Sequence, residues 1–540
     1  MKAVRLLIGV IALVLVVVGV AVAIVLGPDD TWGGEPAVLP DSAPVIATTP
    51  QLLNVAGAEL RVSATTDEGE AFVGAGHPVH VQDYVRDVER TEITQLSADG
   101  VGGSESRAGE RAYPTVVPAE LDVWDVQATG ADVTLEVPLT DEAPVQVAVM
   151  PAADGGSAPQ VGIGYALPGA FLAALVAAVV GLLLLVGTIV WGRRAKGAAP
   201  AAATEPQESG SGAMLSRGAV RVAAIGSVLA VTAGCSIPHE VEHGEQPGVV
   251  PLQQADAQAV LDDYDVRNNA AIKASATGDG SRWKRADTGP FLATDELSAR
   301  TSKFFPPKAK GDSDFVHRAK DVFEVEQSAY PLSSVVDVEV PGRDLQGGQL
   351  LYVYSKAGAA GPWKGYSSIY LPSRLVTPLP AGEATPTHED RLSAARWDAE
   401  LDQRIAYGKD TDLRIPQALQ EDINEMSYLP KGVERVNHSV RPWGGRRDGR
   451  TEQDGPVRVL RVKQGLLVIT HKEWELSLYL KSGFEWNQTS RERKVHGSHD
   501  KDTVYDEHYL LTAAILVPHS GAPSVIGSEV ERVLDFPPSG

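Results

Sequence analysis

The chain predicts a membrane-anchored multidomain protein: two transmembrane helices flanking a small, mainly-β ectodomain, then a signal-like apolar segment and a large α+β region. Three observations lead there. Leu6–Leu26 and Ala170–Val190 are long runs free of charge, each with basic residues at one end only. The stretch between them, residues 27–164, carries 23 Asp and Glu, five Arg and no Lys, a net charge of −18 out of −22 for the whole chain. Beyond residue 250 a helical pattern followed by alternating apolar positions occurs twice. At roughly 100–200 residues per domain, 540 residues call for several units rather than one core.

The first element, residues 1–26, is a transmembrane helix. At about 1.5 Å per residue the run from Leu6 to Leu26 reaches roughly 30 Å, the thickness of the hydrocarbon layer. A cleaved signal would carry a core of about 7–15 residues and an A-x-A site, whereas Gly27, Pro28 and Asp29 follow here. Lys2 and Arg5 precede the run and only acids follow it, which sets the N-terminus in the cytoplasm. The second membrane helix, 165–191, is bracketed by Tyr165 and Trp191, and Arg193, Arg194 and Lys196 return the chain to the cytoplasm. The acidic domain at 27–164 is therefore extracytoplasmic. Within it, residues 27–50 are Pro-rich and read as irregular; Leu53, Val55, Leu60 and Val62 alternate as a strand. Pro78 opens a short helix with Val81, Tyr84, Val85 and Val88 on one face, and residues 99–111 read as a loop. Val133–Leu139 and Val145–Val149 alternate again. His77 and His80, placed in a strand, would point to opposite faces and hold no metal together.

Residues 192–217 are rich in Ala, Pro, Gly and Ser and form a cytoplasmic flexible linker. In the segment 218–235, Arg217 and Arg221 precede a 13-residue apolar run, Val222–Gly234, that ends at Cys235. Thirteen helical residues reach about 20 Å, short for a span and right for a signal core. Basic residues, a short apolar core, small residues and then cysteine resemble a bacterial lipoprotein signal, with Thr232, Ala233, Gly234 and Cys235 as the lipobox. Thr232 departs from the Leu or Val usual at that position. The resemblance implies lipidation of the Cys235 thiol as a diacylglyceryl thioether and signal-peptidase cleavage between Gly234 and Cys235. The alternative is a short third membrane helix with a buried thiol. Counted from Met214, the register is that of a freestanding precursor, so the chain reads as two reading frames joined head to tail. Such pairs resemble uncharacterised membrane proteins and lipoproteins of high-GC Gram-positive bacteria.

A polar tether at 236–250 leads into two extracytoplasmic α+β subdomains, 251–380 and 381–540, divided by the Pro/Gly-rich stretch Pro372–Pro386. The first has a helix over 253–274, with Ala257, Val260, Leu261, Tyr264 and Ala271 on its apolar face, then strands at Val335–Val340, Leu350–Ser355 and Trp363–Leu371. The second has a helix over 388–406 with Leu392, Ala395 and Ala399 as its stripe, and a short helix opened by Ile415 and Pro416. Strands at Val457–Val462, Leu466–Thr470, Trp474–Leu480 and Leu510–Val517 complete it. By element order both subdomains resemble nuclear-transport-factor-like or cystatin-like units.

The acidic balance repels phosphate backbones, so no nucleic acid is expected as a partner. A single cysteine rules out an internal disulfide and any Cys-rich metal site. Ser281, Arg282, Trp283 and Lys284 match S-x-x-K, and Lys481, Ser482 and Gly483, placed in a strand, resemble the K-[ST]-G of penicillin-binding proteins. That chemistry needs the serine on the first turn of a buried helix, and Ala286–Pro290 interrupts any helix there. His496, His499 and His508 with Asp500 and Asp502 fall in a stretch, 487–508, read as a solvated loop. Trp363, Tyr366, Tyr370, Trp474, Tyr479 and Trp486 read as core and cross-strand residues rather than a sugar-stacking groove. No catalytic residue, metal or cofactor is expected. The expected function is a multi-pass cell-membrane protein, a non-enzymatic binding or scaffold module facing outward. Its partners would be the membrane lipid bilayer, other envelope proteins or cell-wall polymers. The alternative is a cell-wall enzyme of the penicillin-recognising serine class.

Overall fold

The computed structural model describes all residues except 1, 29, 34–35, 40–41, 54, 98–99, 141–142, 197–238, 241–247, 306–313, 381, 445–457, 486–488, 497–502 and 534–540. The chain forms an α+β multidomain structure of two compact units, Met1–Pro247 and Gly248–Gly540.

In the first unit helix α1 (Lys2–Leu26) leads into β1 (Thr31–Gly33), β2 (Val45–Thr48), β3 (Val55–Ala56), β4 (Ala58–Thr65) and β5 (Ala71–Gly76). Helix α2 (Pro78–Val85) follows, then β6 (Arg90–Ser97), β7 (Gly100–Arg107), β8 (Val126–Gly130), β9 (Asp132–Leu139), β10 (Gln146–Pro151) and β11 (Gln160–Ala166). Helix α3 (Ala170–Lys196) and the short β12 (His239–Glu240), paired with β3, complete it. Two sheets, ordered β1-β11-β4-β9 and β7-β6-β2-β10-β5-β8, close on one core. Leu60 and Val62 of β4, Val133, Leu135 and Val137 of β9 and Ile163 of β11 share it with Ile46, Val73, Ile93 and Val147 of the other sheet. Period-two alternation is what lets one face of each strand supply this interior. All pairings are antiparallel except β2 with β6. The strands β5 and β10 are buried on both faces because α2 and the 116–125 segment cover their outer side, where Trp124 packs on Phe72 and Tyr84 at 5.2 and 5.8 Å.

Two sequence readings change here. The Pro-rich stretch 27–50 holds β1 and the fully buried β2, whose Val-Ile-Ala-Thr run is too short to show a period. Residues 99–111 are not one loop: Gly100–Arg107 is the edge strand β7, polar because only β6 pairs with it and its side chains meet water.

In the second unit the order is α4 (Ala257–Ser275), α5 (Trp283–Ala286), α6 (Gly289–Phe304), β13 (Arg318–Phe323), β14 (Leu332–Glu339), β15 (Gln349–Lys356) and β16 (Lys364–Leu371). Then come α7 (His388–Tyr407), α8 (Gln417–Met426), β17 (Val433–Pro442), β18 (Arg458–Val462), β19 (Gly465–Leu480), α9 (Ser490–His496), β20 (Val504–Pro518) and β21 (Ser524–Arg532). Sheet β13-β14-β15-β16 and sheet β17-β19-β20-β21, with β18 also on β19, are antiparallel. Residues 251–380 and 381–540 thus each supply helices and then a sheet. The layers stack helix, sheet, sheet, helix. Tyr264 of α4 and Phe291 of α6 pack on Tyr354 and Tyr352 of β15. The opposite face of that sheet, with Val335, Leu351, Val353 and Ile369, shares a core with Leu460, Leu467, Ile469 and Ala514 of the second sheet. The second sheet's far face, with Leu466, Val468, Trp474 and Leu476, holds Trp397 and Leu401 of α7 and Leu419 of α8.

Helix α7 begins at a capping box, Thr387 with Asp390, and ends at Gly408 in the left-handed conformation (φ +61°), as its sequence favours. Its apolar face is rotated from the expected one: Leu392, Ala395 and Ala399 are exposed, and Ala394, Trp397, Leu401 and Ile405 are buried. Asp398 lies on the buried face, which hid the stripe from a purely apolar reading. The two expected strands at 466–470 and 474–480 are one strand, β19, because its charged middle is buried. The stretch 487–508 contains α9 and the start of β20, so His508 stands in a strand opposite Glu475.

Candidate functional site

Leu6–Leu26 and Ala170–Trp191 are long and apolar enough to cross a membrane. They pack against each other through small residues. A Cβ on Gly19 would lie 2.6 Å from the Ala174 carbonyl oxygen, and one on Gly181 would lie 2.8 Å from that of Ala12. Ala12, Ala174 and Ala178 are buried in this seam, whereas Leu6, Ile24 and Leu183 are 73, 76 and 67% exposed. Large apolar residues outside and small ones inside invert the arrangement of a water-soluble helix pair.

Above the pair, one residue ties both helices to the sandwich. Asp30, in the left-handed region (φ +55°), accepts from the backbone N–H groups of Gly169 and Phe171 at 2.9 and 2.6 Å, and its carbonyl accepts from Leu167 N–H at 2.8 Å. A carboxylate at a helix N-terminus satisfies otherwise unpaired donors and meets the positive end of the helix dipole. Two residues on, Trp32 pairs across the ladder with Tyr165, their rings stacked at 6.5 Å.

A second concentration of chemistry lies between α4–α6 and the first sheet of the second unit. Asp265 accepts from His317 N–H at 2.7 Å and bonds its Nδ1, while His317 Nε2 meets Tyr352 Oη at 3.2 Å. Beside it Tyr264 Oη donates to Asp287 Oδ1 at 3.0 Å. Asp287, at the end of α5, and Asp295, on α6, form a carboxyl pair pushed up to about 7 and about 8. Burial is the main cause for both, and for Asp295 the neighbouring Asp287 adds to it. Tyr354 Oη and Trp283 Nε1 are buried there without a hydrogen-bond partner among the described residues. Asp265 also borders a groove of about 750 Å³ along α4, where Val266, Phe315 and Val316 are exposed beside Lys273, Asp279 and Arg282. The arrangement can hold and share protons and receive a ligand along α4.

A third cluster occupies the middle of β19, where Thr470, His471, Lys472 and Glu473 are all buried. Alternation sends them to opposite faces. Lys472 Nζ reaches Asp398 at 2.6 Å and Asp402 at 2.9 Å on α7. His471 Nε2 meets Ser367 Oγ of the facing sheet at 2.7 Å, and Glu473 pairs with Arg441 of β17. Burial pushes the Asp402 carboxyl up, opposed by Lys472.

The residues singled out in the sequence scatter. Gly234 and Cys235 lie outside the described residues, as do Trp486, His499, Asp500 and Asp502. His77 and His80 are not on a strand: His77 caps α2, its Nδ1 accepting from Val79 N–H at 3.3 Å, and the rings lie 6.1 Å apart. Among the described residues no group of three or more His, Cys, Asp or Glu could hold a metal ion. Ser281 is exposed in a turn before α5, Lys284 is exposed, and Lys481–Gly483 follows β19 in a turn rather than lying in a strand. Trp363 and Trp474 are core residues, Tyr370 donates to the Leu345 carbonyl, and Tyr479 stacks under Arg435. No local motif in the sequence joins Asp265, Asp287, Asp295 and His317: only Asp287 and Asp295 are near each other along the chain, while 52 residues separate Asp265 from His317 and 35 separate His317 from Tyr352. No protein-family model matches the chain, and comparison with curated proteins and with solved structures finds no match either.

Proposed function

We propose that the chain is a multi-pass cell-membrane protein of the envelope, a non-enzymatic binding or scaffold module with both large domains outside. The helix pair carries this reading: its small-residue seam and outward Leu, Ile and Val side chains suit lipid as solvent. Each such side chain removed from water is worth roughly 1.5–3 kcal/mol, and more than fifteen large ones are exposed on the two helices. Lys2 and Arg5 before α1, and Arg193, Arg194 and Lys196 at the end of α3, support the orientation. The reading takes Cys235 as lipidated and the chain as cut after Gly234, and takes the two halves of the second unit as nuclear-transport-factor-like or cystatin-like units. The groove along α4 is its candidate contact surface for envelope proteins or cell-wall polymers.

Cysteine reporters in a Cys235→Ser background test the topology. Ala153 is exposed on the β10–β11 turn. Ala153→Cys should react with a membrane-impermeant maleimide in intact cells, and Ser209→Cys should react only after lysis. Labelling of Ser209→Cys alone in intact cells overturns the orientation.

A further inference from the structure

At the edge of the first unit's sandwich the two sheets part around a pocket of about 310 Å³. Strands β1 and β11 form one wall and β6 the other. Its apolar lining is Trp32, Leu52, Leu96, Ile163 and Tyr165, and Thr94, Gln95 and Ser97 supply a polar rim without a charged side chain. Ile163 belongs to the sandwich core, and Leu52, Leu96 and Tyr165 pack against it, so the pocket continues the interior outward. Trp32, 40% exposed, stands at its mouth.

The mouth has a defined place along the chain. Trp32 follows Asp30 by two residues, and Asp30 caps the first turn of α3. Two residues of extended chain span about 7 Å. With α3 spanning a bilayer, that puts the mouth within the headgroup layer, which is about 5–8 Å deep on each side. Stacked Trp and Tyr rings are the side chains that settle at this depth.

We infer that this pocket receives the upper part of a phospholipid acyl chain from the outer leaflet; the inference rests on the membrane reading above. An apolar cavity of ~150 Å³ already takes benzene, so this one has room for several methylene groups. The Thr94 hydroxyl and the Gln95 amide can donate to the ester carbonyl at the chain's head, while the Ser97 hydroxyl already donates to the Gly100 carbonyl at 3.3 Å. The lining offers no cationic side chain to a phosphate, and the domain's −18 charge holds anionic headgroups off. The occupant is therefore the neutral, ester-bearing chain, continuous with the lipid already around α1 and α3.

The test uses the full-length chain reconstituted into phosphatidylcholine vesicles containing a phosphatidylcholine with a diazirine near the carbonyl end of one acyl chain. After irradiation, adducts are mapped by mass spectrometry. Wild type should carry them on peptides containing Leu96–Ser97 or Ile163–Tyr165, as well as on α1 and α3. Leu96→Trp, which fills the pocket, should lower the pocket adducts at least five-fold and leave the helix adducts unchanged. Ser97→Trp, at an exposed rim position, should do the same should Leu96→Trp fail to fold. Adducts on the helices alone, or pocket adducts undiminished in the folded variants, overturn the inference and leave the membrane reading standing. Absence of adducts everywhere, with protein left in the aqueous phase, overturns that reading.

Discussion

Asp30 does two jobs that oppose each other at the backbone. Its carboxylate satisfies two N–H groups of α3, but a non-glycine residue at φ +55° carries strain. Asp30→Gly relieves the strain and removes the cap; Asp30→Asn keeps an acceptor and tolerates the left-handed region while losing the charge. Thermal unfolding of the detergent-solubilised chain should show Asp30→Ala, which loses the cap and keeps the strain, destabilised by about 0.5–2 kcal/mol, Asp30→Gly by only a few tenths, and Asp30→Asn by less than Asp30→Ala. Equal melting temperatures for wild type and all three variants would show that the cap contributes nothing. The pair Asp287 and Asp295 makes a pH prediction of definite sign. Both fold with carboxyls raised far above the ordinary 3.8, Asp287 by burial, against the lowering hydrogen bonds from Tyr264 and Asp295, and Asp295 by burial together with the Asp287 and Glu531 carboxyls that face it. The native state therefore keeps a proton that the unfolded chain releases, and stability falls as pH rises from about 4 through about 8. Asp295→Asn stays neutral throughout, so the melting temperature of the second unit should decline less over that window than in wild type. A parallel decline would place the titration elsewhere.

At the scale of elements, what the sequence made legible followed apolar period and chain punctuation. The helices α1 and α3, and α2 opened by Pro78, stand where expected; so do β14, β15 and β16. Those strands alternate or run apolar, and Gly and Pro bound them. What stayed hidden was polar in a place where polarity is normally solvated. Edge strand β7 reads as a loop because Gly-Val-Gly-Gly-Ser-Glu-Ser-Arg gives the core one apolar side chain, Val101, and so shows no period. The middle of β19 reads as a break because Thr470–Glu473 is polar, yet each charge there finds a partner on another element. The Asp265–His317–Tyr352 contact joins α4 to β15 and has no local signature at all. Lys472 turns this into a measurement. It is fully buried, and removing it strands two carboxylates on α7. Lys472→Met should cost about 3–5 kcal/mol in urea unfolding, and adding Asp398→Asn and Asp402→Asn should recover most of the loss. A cost under about 1 kcal/mol would mean that water reaches the pair and screens it.

At the scale of the whole molecule, the second unit repeats helix and sheet twice but does not repeat a core. Each sheet has one face under its own helices and the other against its counterpart. Val335, Leu351, Val353, Ile369 and Leu371 share one cluster with Leu460, Leu467, Ile469 and Ala514 of the second sheet, joined by Val376 and Ala384 from the segment between the halves. Polar contacts cross the same boundary, His471 to Ser367 among them, and Trp443, Leu510 and Val533 pack with Ala293 and Tyr366. Separating the halves would expose a sheet face of large aliphatic residues, which solvates poorly and pairs with any similar surface. Cooperative unfolding is thus a property of the joined halves. Residues 248–540 should melt in a single transition with calorimetric and van't Hoff enthalpies in agreement. Residues 251–380 made alone should bind a hydrophobic dye and lack a sharp transition. Mixing them with 381–540 should restore both cooperativity and the near-ultraviolet signal of the buried tryptophans. If 251–380 melts sharply by itself, the interface between the sheets is a docking contact between two finished domains, and the shared core is not needed for either to fold.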